Sequence, residues 1–106
     1  MPSSHSPDEI LAAANEPGSV LFDCRTPEEV KESKLESRPF INISCTLEDC
    51  SELIKKADQL FPDKTKPVII YCRSGRRAGK AKEVLEQQLG YTNVMNAGGL
   101  VDLTYL

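Results

Sequence analysis

One segment of the sequence gathers residue types whose chemistry adds up: Cys72-Arg73-Ser74-Gly75-Arg76-Arg77. Cysteine is a nucleophile as the thiolate, and a thiolate needs positive surroundings. Cys72 follows Val68-Ile69-Ile70-Tyr71, an apolar run that reads as a central parallel strand buried on both faces. A stretch with helical periodicity follows from Arg77 to Leu89. Ser74-Gly75 lets the chain turn tightly between the two, so that backbone N–H groups and the helix N-terminus converge on the sulfur. Both favour an anion there and should bring the Cys72 pKa below the ~8.5 of a free cysteine. Arg73, Arg76, Arg77 and Lys80 concentrate positive charge at the same spot of a chain whose net charge is −3. Arginines at a helix N-terminus oppose its dipole, which points to an anion residing among them. The bland alternative is a small buried cysteine beside a solvated basic face. The glycine and four cations at one strand end weigh against it.

The elements that must position this loop follow from caps and periodicity. Ser6-Pro7-Asp8-Glu9 starts a helix that runs to about Ala14, with Ser6 as cap, Pro7 at the first position and Glu9 completing a capping box. Asn15–Gly18 is a turn, and Ser19–Phe22 a short buried strand ending at Asp23. Thr26 and Glu29 repeat the box for a short helix to about Ser33, and 34–39 is a polar connection. Ile41-Asn42-Ile43 is a second strand. Leu47–Leu60 carries apolar residues near helical spacing, and Pro62–Pro67 is a loop. Gly90 caps the Arg77–Leu89 helix. Asn93–Asn96 is a fourth strand, Gly98-Gly99 a turn, and the last residues begin a short helix. Alternating strands and helices specify an α/β domain with a mainly parallel sheet of four to five strands, taken as one domain over residues 1–106.

In such sheets ligands bind beyond the carboxyl ends of the strands. The other exits are Asp23-Cys24-Arg25, Ser44-Cys45 and Ala97-Gly98-Gly99. Asp23 and Arg25 stand behind the main loop. Arg25 either touches substrate or, the favoured reading, pairs with Glu29 to tie its loop to the following helix. Cys24 and Cys45 lie within reach of Cys72 and read first as small packing residues, with a resolving or sulfur-accepting thiol as the alternative. Cys50 is expected to be inert inside a helix. His5, the single histidine, lies too near the terminus to serve as a base.

Composition excludes several classes. At 40% hydrophobic and 27% charged residues, the chain is neither disordered nor collagen-like. A net charge of −3 gives no reason to expect nucleic acid or an anionic membrane as partner. No apolar stretch approaches the ~20 residues of a membrane span, and Met1–Pro7 lacks the apolar run of a signal peptide. The cysteine spacing matches no zinc pattern. The expectation is a reduced, cytoplasmic monomer, with a mature secreted form as the alternative.

These residues resemble the active-site loop of the rhodanese family. Tyr71–Ala81 is similar to its Cys-x-x-Gly-x loop entering a helix, and Leu21–Glu29 to its Asp-x-Arg-x-x-x-Glu segment. Ile41-Asn42-Ile43 is similar to its Ile-Asn-Ile strand, and Gly90–Val94 with Asn96–Leu100 to its closing strand and turn. The short ending is most similar to the small phage-shock-type members. The family's usual His-Ile-x-Gly-Ala before the second strand is absent, replaced by Lys34–Phe40.

The resemblance implies a three-layer α/β/α sandwich and no metal or organic cofactor. It implies ping-pong transfer of sulfane sulfur from thiosulfate to cyanide or a thiol, thioredoxin- or glutathione-type thiols among them, through a persulfide on Cys72. The N–H groups from Arg73 to Arg77 would hold the anion, with Arg73 and Arg76 facing solvent and Arg77 turned inward. Two other functions fit the fold. Phosphatases and arsenate reductases use Cys-x5-Arg around a tetrahedral oxyanion, whereas Cys72 and Arg77 give Cys-x4-Arg, a loop better sized for one sulfur atom. Binding modules of this fold lack the nucleophile, which is present here.

Overall fold

The structure, a computed structural model, describes residues 5–106. Four parallel strands form one sheet: β1 (Val20–Asp23), β2 (Ile41–Asn42), β3 (Val68–Cys72) and β4 (Val94–Gly99), in the order β2-β1-β3-β4. The chain moves outward from β1 to β2 and then returns past β1 to β3. That reversal is the topological switch at which open α/β sheets form their binding crevice, outside the carboxyl ends of the strands. Here it lies between the exits of β1 and β3.

The period of two in a strand sorts the core. Phe22 of the first strand, Cys24 just beyond its end, and Val68, Ile70 and Cys72 of the third face one cluster, with Leu53, Ala57, Ala78, Ala81 and Leu85 from the helices over that face. Leu21, Ile69 and Tyr71 face the other cluster, covered by Ile10, Ala13, Leu103 and Leu106. All five residues of β3 are buried. Each large aliphatic side chain so buried contributes roughly 1.5–3 kcal/mol, so the strand that delivers Cys72 is the best-anchored segment of the sheet.

Helices α1 (Pro7–Ala14) and α2 (Pro27–Glu32) both begin with complete capping boxes, from Ser6 with Glu9 and from Thr26 with Glu29. Three helix boundaries depart from the sequence expectation. The third helix, α3 (Ser51–Leu60), starts at Ser51 and not near Leu47. The Thr46 hydroxyl accepts the N–H groups of Glu48 and Asp49 in a turn that delays the helix. Cys50 is therefore its N-cap residue and is disulfide-bonded to Cys45, which corrects both the expectation of an inert cysteine inside a helix and that of a fully reduced chain. The fourth helix, α4 (Arg76–Glu83), starts one residue early, at Arg76, and its last turn, Val84–Gln88, widens to π-helical bonding. The double glycine is no free turn: β4 continues through Gly99, paired with Cys72 across a bulge. Among the described residues, no helix is long and apolar enough to cross a membrane.

Candidate active site

Cys72 is the last residue of β3, and three residues separate it from α4. The turn depends on two glycines. Gly75, the N-cap of α4, has φ 92°, a left-handed conformation that glycine adopts without penalty. Its N–H donates to Cys72 Sγ at 2.9 Å. Gly99, on the neighbouring strand, lies so close to the Arg73 carbonyl oxygen that a Cβ there would collide with it. Asn96 completes the support: its Nδ2 donates to the Gly75 carbonyl at 3.0 Å, and its Oδ1 accepts the Gly98 N–H at 2.9 Å.

The thiol of Cys72 is pulled down to about 5, first by the hydrogen bond from the Cys24 thiol and then, against the opposing effect of burial, by the N–H groups of Ala78, Ser74 and Gly75. Cys24 is driven the other way, chiefly by donating to Cys72, with burial adding to it. Cys24 Sγ also lies 3.3 Å from the Tyr71 carbonyl. With one proton to give, it favours the charged sulfur, the stronger acceptor. The pair therefore holds one proton and one negative charge, with the charge on Cys72. Both cysteines are free and fully buried.

The arginines divide into two kinds. Arg73 and Arg76 are exposed, as is Ser74, on the rim of the loop. Arg77 is half-buried and forms a two-pronged pair with Glu29, at 2.7 and 3.0 Å. This pair holds the Glu29 carboxyl down at about 2. Arg25 does not pair with the Glu29 carboxylate, contrary to the sequence expectation. It folds back two residues onto Asp23, with Nη2 2.7 Å from Oδ2 and Nε 3.0 Å from both oxygens. It also donates to the Ser33 carbonyl at 2.7 Å. The reason is competition: Glu29 is already held by the Thr26 N–H of its capping box and by Arg77 arriving from the facing helix. Asn42 braces the same exit, donating to the Asp23 and Arg25 carbonyls.

Two depressions flank the loop. One, of about 320 Å³, is lined by Thr46, Leu47, Glu48, Ser74, Arg76 and Arg77. The other, of about 170 Å³, includes Arg25, Glu29, Glu32, Arg73 and Val101. Cys45 lies next to the first depression but is committed to Cys50, so Cys24 is the free thiol beside Cys72. No group of three or more His, Cys, Asp or Glu residues that could hold a metal occurs among the described residues.

Sequence reasoning missed Asn96 and Asn42 as supports. The available signal was a polar side chain at a strand position whose neighbours are buried: Asn96 is 5% exposed.

The chain is similar to known proteins in both sequence and shape. Residues 6–103 match the rhodanese-like domain family. The thiosulfate sulfurtransferase PspE of Escherichia coli K12 is 40% identical over 82 residues, 77% of this chain and 71% of that protein. A rhodanese from E. coli, solved with anions, superposes with a TM-score of 0.67 at 36% identity, covering 81% of this chain and 92% of that one. The single-domain sulfurtransferase RDL2 of Saccharomyces cerevisiae superposes with a TM-score of 0.65 at 26% identity, covering 99% and 90%. Family match, relatives and fold agree with one another, and the chain belongs to the rhodanese family as an enzyme of the sulfurtransferase type.

Proposed function

We propose that this enzyme moves sulfane sulfur from thiosulfate, or a similar small anionic donor, to a thiol or cyanide acceptor through a persulfide on Cys72. The observation that carries the reading is the buried Cys72 sulfur with its pKa held at about 5 beneath converging N–H groups. A thiolate so placed is ionised at neutral pH and needs no general base. It attacks the outer sulfur of thiosulfate, the S–S bond breaks, and sulfite leaves with the bonding pair. The negative charge of the new persulfide sits on its terminal sulfur, where the N–H groups of the loop stabilise it. An acceptor nucleophile then takes that sulfur and returns Cys72 as thiolate. Four residues separate Cys72 from Arg77, one fewer than in the Cys-x5-Arg loops that enclose a tetrahedral oxyanion, and the shorter loop favours sulfur transfer over phosphatase or arsenate chemistry.

The two depressions differ in charge. The one beside Ser74 has two arginines against one glutamate, and the one beside Val101 has two against two. A dianionic donor is drawn to the first, past Arg76. Arg77, locked to Glu29, shapes the helix start and adds fixed positive charge. Intact mass after treatment with thiosulfate tests the reading, provided released sulfite is measured in parallel. One sulfite per chain, with one added sulfur held on Cys72 when Cys24 is replaced by serine, and neither in Cys72→Ser, is the expected result. Undiminished transfer to cyanide by Cys72→Ser would overturn it.

A further inference from the structure

The exits of β1 and β3 bring a second thiol to the nucleophile. The strands pair in parallel register, Phe22 with Ile70 and Asp23 with Tyr71, so the next residues, Cys24 and Cys72, stand side by side. The Cys24 N–H continues the ladder to the Tyr71 carbonyl at 3.0 Å. Both side chains point into the same core cluster, because each lies two residues beyond another member of it. Neighbouring strands run ~4.8 Å apart, within the ~4.4–6.8 Å Cα separation that a disulfide spans. Neither sulfur is bonded elsewhere, whereas Cys45 and Cys50 are bonded to each other. The core thus holds two adjacent free sulfurs, one of them the nucleophile.

We propose that Cys24 is a resolving thiol, giving this enzyme a second activity: release of sulfide from its own persulfide. The proposal rests on the persulfide reading above. While Cys72 is a thiolate, Cys24 donates a hydrogen bond to it and the two do not react. Once Cys72 carries a sulfane sulfur, the negative charge has moved to the terminal atom and Sγ is no longer an anion but an electrophile. Cys24 Sγ attacks Cys72 Sγ, a Cys24–Cys72 bond forms, and the bond from Cys72 to the terminal sulfur breaks. The proton of Cys24 goes to the departing sulfur, which leaves as hydrosulfide. The two cysteines are oxidised together by two electrons, and the sulfane sulfur is reduced by two. The N–H groups that hold the persulfide's terminal sulfur are placed to hold the departing anion. A small dithiol then reduces the Cys24–Cys72 disulfide and is itself oxidised, so that thiosulfate plus dithiol yields sulfite, sulfide and a cyclic disulfide.

A single-turnover experiment with the whole chain tests this. Thiosulfate is added without any acceptor, and sulfite, sulfide and protein mass are followed, with disulfides located by peptide mapping. Wild type should release one sulfite and one sulfide per chain and end with Cys24 bonded to Cys72. Dithiothreitol should then restore both thiols. Cys24→Ser, which keeps a hydroxyl donor beside the sulfur, should release sulfite, retain the added sulfur on Cys72 and lose sulfide release. Cys24→Ala, which guards against an effect peculiar to serine and also removes the donor that lowers the Cys72 pKa, should form the persulfide more slowly but reach the same end point without sulfide release. Wild type that releases sulfite but keeps its persulfide, with Cys24 open to alkylation after denaturation, would overturn the resolving role and leave the persulfide reading standing. Absence of sulfite from all three proteins would overturn the persulfide reading, and the resolving role with it.

Discussion

The exits of β1 and β3 are built from the same residue types and do opposite things with them. Each carries a cysteine followed closely by arginine. At the first exit Arg25 and Asp23 are 4% and 0% exposed and spend their charge on each other. At the third, the negative charge on Cys72 is met mainly by a thiol and backbone N–H groups, while Arg73 and Arg76 remain exposed on the rim. A buried arginine matched to a carboxylate holds a loop's shape. An exposed arginine beside a buried anion has charge left over for a ligand. The difference lies in whether a carboxylate stands two residues away.

Four measurements sharpen this contrast, beginning with the largest effect. The two cysteines should differ by orders of magnitude in ionisation at neutral pH. Thiolate ultraviolet absorbance against pH should rise with a midpoint at about 5, and the step should vanish in Cys72→Ser. A midpoint near the ~8.5 of a free cysteine would show that the two exits hold their cysteines alike. Next, Asp23→Asn strips Arg25 of its partner. Breaking a buried pair by removing one member costs about 3–5 kcal/mol, read as a lowered denaturation midpoint. Arg73→Gln should leave the midpoint unchanged, since the side chain is exposed.

The Glu29–Arg77 pair stands between these extremes and bridges the two exits. The Glu29 carboxyl is lowered to about 2 from 4.5. A group with a depressed folded pKa stabilises above its unfolded pKa, and that contribution is lost as pH falls through the folded one. Glu29→Gln should therefore be less stable than wild type at neutral pH, with the gap closing between pH 4.5 and about 2. Urea midpoints across that range check this, and a gap independent of pH would assign the loss to packing. The smallest effect belongs to the rim. Replacing Arg73 and Arg76 together with glutamine should slow reaction with thiosulfate by about tenfold at low salt, and less as salt rises. Transfer from the loaded enzyme to a neutral thiol should change little. Equal losses for charged and neutral partners would mean that these arginines shape the loop.

Local signals read well from sequence because their causes lie within a few residues. The capping boxes at Ser6 and Thr26, the all-apolar third strand and the glycine turn after Cys72 all formed as their neighbours dictate. The helix expected from Leu47 failed for a local reason too, the turn made by Thr46, which apolar periodicity does not register. The pairings that failed were all choices among partners. Spacing along the chain pointed Glu29 to Arg25, while the facing helix supplied Arg77. Cys45 was placed near Cys72 and bonded instead to Cys50, five residues on.

The sequence by itself determined the cysteine at the strand end, the turn that follows it and the positive charge around it, because a strand, a glycine and a helix start are consecutive in the chain. Tertiary structure decided what stands beside that cysteine. Strand order brings β1 against β3 and so sets Cys24 next to Cys72. The same order lays β4 under the loop, where Asn96 holds Gly75 and Gly99 admits the Arg73 carbonyl. These contacts join residues more than twenty positions apart. A pattern of local propensity carries no information about which distant strand will be the neighbour; pairing and burial of the whole sheet choose it.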